Sequence, residues 1–130
     1  MAEASQTVRD FIATFLLAWR LKDASRLTQF FSEEAEYRNG PLPPVIGRDA
    51  VVAALGQMMA MGGTVDVDIT NMVSDGPLVM VERVDYWRNA EKTIQLPVAG
   101  VFEVRDGVIA IWRDYFDLGE FTSQMAEDKD

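Results

Sequence analysis

Apolar residues recur at Val8, Phe11, Ile12, Phe15, Leu16 and Trp19. Spacings of three and four predict an amphipathic helix over Thr7–Leu21, with Ser5 or Thr7 placed to cap it. Asp23 is placed to cap a second, short helix over Ala24–Phe31, with Leu27, Phe30 and Phe31 as its apolar contacts. Ser32-Glu33-Glu34 breaks the pattern. Ala35–Asn39 then alternates as a short strand, with Ala35, Tyr37 and Asn39 on one face. Gly40–Gly47 carries three prolines and reads as a stiff loop. Asp49 opens a third predicted helix, Ala50–Met61, whose buried side is Val51, Leu55, Met58 and Met59, and Gly62-Gly63 stops it.

Beyond Gly63 the period changes from helical to alternating. Strands are predicted over Val65–Val73, Leu78–Trp87, Thr93–Val104 and Val108–Asp117. Turns at Ser74–Pro77, Arg88–Lys92 and Arg105-Asp106-Gly107 separate them, the last with an Asp-Gly hairpin signal. Gly100, inside the third of these strands, suggests a bend or a bulge. Leu118–Met125 reads as a short closing helix, followed by an acidic, frayed tail over Ala126–Asp130. Helices first and four long antiparallel strands afterwards predict an α+β fold. With no linker, repeat or low-complexity stretch, residues 1–130 read as a single domain.

Two strands carry charge where their apolar face should be continuous. In Ile109–Asp117 the residues Trp112, Asp114 and Phe116 share one face, so a carboxylate sits among aromatic rings. In Val79–Trp87 the row Val79, Val81, Arg83, Asp85, Trp87 is interrupted by one cation and one anion. Taken singly, each charge has a plain structural reading. Arg83 and Asp85 could be a surface ion pair with the sheet face inverted, and Asp114 a buried carboxylate satisfied by backbone donors. Taken together they change the picture. Burying two carboxylates is costly, and Arg83 between them makes a compensated Asp–Arg–Asp network possible. Two such carboxyls titrate as a pair, one able to give a proton while the other accepts one. Tyr37 and Asn39, a phenol and an amide on one strand face, could hold a water molecule. Alone they would be a core tyrosine and a turn asparagine.

Composition narrows the chemistry. The formal charge of -9 argues against nucleic acid and against an anionic membrane surface as partners. The chain has no His, which removes the commonest general base and zinc ligand, and no Cys, which removes thiolate chemistry. Acid–base work near neutral pH must fall to Asp, Glu, Tyr or Lys. No metal site and no cofactor motif is evident. The N-terminal MAEASQTVRD is polar and unlike a signal peptide, and apolar runs such as Phe15–Trp19 are too short to span a membrane. A cytoplasmic protein is expected.

The sequence resembles the limonene-1,2-epoxide hydrolase family, a branch of the NTF2-like (SnoaL-like) superfamily, from about Trp19 to Phe121. The pieces that carry the resemblance are Tyr37-Arg38-Asn39 with Gly40-Pro41-Leu42-Pro43-Pro44, Gly47-Arg48-Asp49-Ala50-Val51 and Glu82-Arg83-Val84-Asp85. Gly100-Val101-Phe102 and Trp112-Arg113-Asp114-Tyr115-Phe116-Asp117-Leu118 complete it. The resemblance implies a cone in which a strongly curved mixed sheet wraps around the N-terminal helices. It implies an enzyme that adds water to small lipophilic epoxides in one step and releases vicinal diols, without a covalent intermediate. By the same resemblance Asp114 is the general base, Tyr37 and Asn39 hold the water, Asp85 is the general acid and Arg83 bridges the two carboxylates. Trp19, Met58, Val67, Trp87, Leu96, Val98, Phe116 and Phe121 would line the pocket, the two tryptophans narrowing it. A homodimer through the outer sheet face is implied, and a contact made by the longer N-terminal arm of some relatives would be missing. The alternatives are another SnoaL-like enzyme, such as a polyketide cyclase or a ketosteroid-isomerase-like protein, and a non-catalytic binding module on the same cone.

Overall fold

The computed structural model describes residues 3–126. The first helix, α1 (Ala4–Leu21), buries Val8, Phe11, Ala18 and Trp19 along one stripe. It starts earlier than the apolar period implies. Glu3 occupies its cap position with no side-chain hydrogen bond, so neither Ser5 nor Thr7 caps it. Asp23 does act as a cap, accepting from the Ser25 N–H, but the helix it opens, Ala24–Phe30, is a 3-10 helix.

Phe31 belongs not to that helix but to the first strand, β1 (Phe31–Asn39). Ser32-Glu33-Glu34 therefore lies inside a strand. An irregularity in pairing between Phe31 and Glu36 disrupts the two-residue alternation there, so the segment does not look like a strand. The proline loop contains a two-residue strand, β2 (Val45–Ile46), antiparallel to β1. The second helix, α2, runs Arg48–Met59. Its cap position is Gly47, with φ of 102°, and Asp49 sits within its first turn.

Four strands follow: β3 (Thr64–Asp75), β4 (Leu78–Arg88), β5 (Thr93–Arg105) and β6 (Val108–Tyr115). Each pairs antiparallel with the next. The sheet closes on β1, which runs parallel to β6, giving the order β2-β1-β6-β5-β4-β3. The protein is thus an α+β fold with a curved, mixed six-stranded sheet. Gly100 is neither a bend nor a bulge, since its pairing with Val81 and Asp114 is regular. Within β3–β6 the irregular pairings fall between Ile69 and Asn71 and between Glu103 and Val104.

The core forms where α1 and α2 meet the inner sheet face. Phe11 is its hub, with edge-on contacts to Phe30, Phe31, Phe102 and Trp112. The last helix, α3 (Leu118–Ala126), buries no residue. The Asp117 carboxylate caps it by accepting from the Gly119 and Glu120 N–H groups. Gln124 ties it to the sheet: its side-chain amide donates to the Gln95 carbonyl and accepts from the Gln95 N–H, both at 2.9 Å. The acidic tail after Ala126 lies outside the described residues.

Candidate active site

Strand alternation sends Val79, Val81 and Arg83 inward from β4, and Trp112 and Asp114 inward from β6. Between these strands, β5 brings Gly100 opposite Asp114 and Val98 opposite Arg83. The inner face at this point carries a charged cluster instead of apolar packing. Arg83 and Asp114 are 7% and 5% exposed. They are the two charged residues buried among the described residues.

One guanidinium engages two carboxylates. Arg83 Nε donates to Asp85 Oδ1 at 2.8 Å and Nη2 to Asp85 Oδ2 at 3.2 Å. On the other side Nη1 donates to Asp114 Oδ1 at 3.1 Å and Nη2 to Asp114 Oδ2 at 2.6 Å. The arginine is therefore bidentate to both partners, with Nη2 shared. Asp114 accepts one more bond, from the Trp112 indole Nε1 at 2.8 Å. The inverted-face reading of Arg83 and Asp85 does not hold, and the donors on Asp114 are side chains.

Electrostatics follow the burial. Burial alone would make Arg83 easier to deprotonate, but the charges and hydrogen bonds of Asp114 and Asp85 outweigh it and hold the guanidinium well above its ordinary value. Burial pushes the Asp85 carboxyl above the usual carboxylate value. Arg83 opposes that rise, and the charge of Asp114 adds to it. Burial, and next the charge of Asp114, also raise the Tyr37 phenol well above its normal value. Tyr37 is a neutral hydroxyl at any ordinary pH.

The parallel β1–β6 pairing sets Tyr37 beside Trp112 and Asn39 beside Asp114. The Tyr37 ring stacks on Trp112, with centroids 4.2 Å apart. Its hydroxyl lies 3.9 Å from the Met58 sulfur and donates toward it. No helix or loop intervenes between the phenol, the amide and the carboxylate; adjacent strands carry all three.

These five polar residues line one cavity of about 390 Å3. The size suits a small organic molecule. Its walls are apolar. Trp19 comes from α1, Met58 from α2, Val67 from β3, Trp87 from β4, Leu96 and Val98 from β5, and Phe116 and Phe121 from the segment after β6. The eight wall positions named from the sequence thus border the same space. Periodicity did not single out Phe11, Ile12 and Phe15 of α1 as wall residues, because a helical apolar stripe reads as plain core. Nor did it find Leu42, Met61 and Met125, which are exposed, apolar and on the cavity rim. The two wall tryptophans are fixed at their polar edges. Trp19 Nε1 donates to the Gly63 carbonyl at 3.1 Å and Trp87 Nε1 to the Gly62 carbonyl at 2.9 Å. Among the described residues no group of three or more acidic side chains is placed to hold a metal ion. No helix among them is long and apolar enough to cross a membrane.

Comparison with known proteins settles the relationship. The family described as limonene-1,2-epoxide hydrolase catalytic domain matches residues 2–127. The chain belongs to this family. It is 32% identical to the epoxide hydrolase EphG of Mycobacterium tuberculosis over 107 residues, covering 82% of this chain and 71% of that protein. The solved structure of a limonene-epoxide-hydrolase-like epoxide hydrolase from M. tuberculosis superposes with a TM-score of 0.74. The two are 28% identical, with 94% of this chain and 91% of that one covered. An NTF2-like protein from Burkholderia pseudomallei K96243 superposes with a TM-score of 0.79 at 14% identity, over 98% and 100% of the two chains, and shows the shared fold alone.

Proposed function

We propose that this member of the limonene-1,2-epoxide hydrolase family adds water to small lipophilic epoxides, cyclic or terpene-like, and releases vicinal diols. The observation that carries the reading is one guanidinium clamped between two carboxylates at the buried end of an apolar cavity, with a phenol and an amide beside one of them. Asp114 is the general base. It is the carboxylate next to Asn39 in the strand register, so a water held by Asn39 and Tyr37 can pass its proton to it. Asp85 is the general acid. Its side chain is 29% exposed, against 7% for Asp114, so it can reach an epoxide oxygen in the cavity. Its raised pKa keeps the proton available.

The step balances in atoms and charge. The water oxygen bonds to one epoxide carbon while that carbon's C–O bond breaks. The water proton goes to Asp114 and the Asp85 proton goes to the departing oxygen. Before and after, the pair of carboxyls holds one proton and one negative charge beside one guanidinium. The buried cluster stays neutral throughout, so the proton transfer does not build net charge in a poorly solvated place. A proton passing back from Asp114 to Asp85 through solvent resets the site. The apolar walls suit a substrate whose only polar atom is the epoxide oxygen. We further propose that two copies pair through the outer sheet face, where Val73, Met80 and Tyr115 are exposed.

Diol formation from limonene oxide and cyclohexene oxide, followed by gas chromatography for the wild type and Asp114→Asn, tests the reading. Diol from the wild type alone is expected. Equal diol from both would overturn the assignment of Asp114. In labelled water the diol should carry solvent oxygen even in a single turnover, whereas oxygen from the protein would mean a covalent ester.

A further inference from the structure

Trp112 makes two contacts that meet at the proposed base, and resting on that reading we infer that it is a positioning residue for the water-activating step. Its indole lies in a row across three adjacent strands. Tyr37 of β1 stacks on it at 4.2 Å between centroids and Phe102 of β5 stacks at 5.7 Å. Phe11 meets it edge-on at 5.1 Å. The ring therefore has little freedom, and its Nε1–H is directed along β6 to Asp114 Oδ1.

The hydrogen-bond inventory shows what that N–H does. A carboxylate offers about four acceptor sites, two on each oxygen. Trp112 Nε1 and Arg83 Nη1 fill Oδ1, and Arg83 Nη2 takes one site on Oδ2. The remaining site is on Oδ2, and it is the one left to accept a proton from water. Without Trp112, Oδ1 would also be open and the carboxylate would have two places for the water instead of one.

Arg83 cannot enforce this alone, because its Nη2 is shared with Asp85. When Asp85 gives up its proton it becomes a stronger competitor for the guanidinium. The indole is a neutral donor with no second partner, so its hold on Asp114 does not depend on the state of Asp85. The same ring is the surface against which the Tyr37 phenol is packed. One side chain thus fixes both the base and one of the two groups proposed to hold the water.

The test replaces Trp112 with β-(3-benzothienyl)alanine, which keeps the bicyclic shape and has no N–H, alongside Trp112→Phe. On cyclohexene oxide the expected result for the isostere is a fall in kcat of roughly 10- to 100-fold with KM within about twofold, and a melting temperature lowered by no more than the loss of one hydrogen bond implies. The isostere keeps the experiment decisive even if Trp112→Phe fails to fold. An isostere with wild-type kcat, or one whose KM rises in step with the fall in kcat, would make Trp112 a packing residue and overturn the inference. If the wild type itself forms no diol, the reading of the site fails and the inference falls with it.

Discussion

At the buried end of the cavity, side chains from three strands hold one another over the backbone of a fourth. Arg83 and Asp85 come from β4, Asp114 and Trp112 from β6, Tyr37 from β1, and β5 contributes Gly100 beneath them. At the open end Leu42, Met61 and Met125 are 48%, 55% and 37% exposed. They sit on two loops and on α3, a helix without one buried residue. The first region is over-determined: Arg83 holds two carboxylates, Asp85 takes two bonds from it, and Asp114 accepts from both Arg83 and Trp112. The second is held by a few polar ties, chiefly Gln124 to Gln95 and Lys92 to the Met125 carbonyl. The reaction needs atoms fixed to fractions of an ångström, and rigid strands supply that. Admission of different apolar molecules needs a rim that gives way, and loops supply that.

Substitutions at the two ends should therefore differ in kind. The largest effect is expected for Asp85→Asn, which should lower kcat by roughly 100- to 10000-fold while the protein folds. Substantial turnover in this variant would break the acid assignment. In the wild type the acid works only while it is protonated, so activity is present below its pKa and lost above it. Because burial raises that pKa, the alkaline limb of kcat should lie above the range of an ordinary carboxylate. A pH–rate profile with its limb inside the ordinary range would contradict this.

Next comes Arg83→Met, which leaves the buried Asp114 and the half-buried Asp85 without their cation. A loss of about 3–5 kcal/mol at neutral pH is expected by urea unfolding, partly recovered on acidification as the carboxyls bind protons. No loss would show that the cluster is far better hydrated than its burial implies. Gly100→Ala should be milder. A Cβ there would lie 2.6 Å from Arg83 Nη1 and 2.9 Å from Asp114 Oδ1. The clamped groups can yield only by giving up hydrogen bonds, so about 1–3 kcal/mol of stability and roughly tenfold in kcat should be lost. The smallest effect belongs to the rim. Gln124→Ala removes both ties of α3 to Gln95 and should change KM by roughly two- to tenfold, with kcat within about twofold. A kcat loss as large as that of Gly100→Ala would erase the distinction between the two ends.

The buried end was also the more legible in the sequence. Period-two alternation put Trp112 with Asp114, and Arg83 with Asp85, on inward faces without knowledge of the fold. The same alternation put Tyr37 and Asn39 on one strand face, and the resemblance favoured the water-holding reading over a core tyrosine and a turn asparagine. What alternation could not convey was contact between strands. The parallel β1–β6 pairing joins segments far apart in sequence, and no local pattern encodes that register. The irregularity after Phe31 hid the first half of β1, and β2 is too short to have a period. Gly100 looked like a bend because a missing side chain in a strand usually marks one. Its reason is instead the close approach of two side chains from neighbouring strands. The rim was illegible for a different reason: Leu42, Met61 and Met125 are isolated apolar residues in irregular or short segments, and a lone apolar residue carries no direction.

The parallel seam between β1 and β6 also has a consequence for how the protein acquires its activity. Asn39 and Asp114 are roughly 75 residues apart in the chain, while β3 to β6 pair with their immediate neighbours. Hairpins form over short loops, whereas this seam must close a long one, at an entropy cost that is met only once the partners lock together. The meander should assemble first and the seam afterwards. During refolding, strand signal and tryptophan burial should then rise ahead of enzymatic turnover, because the water site does not exist until the two distant segments meet.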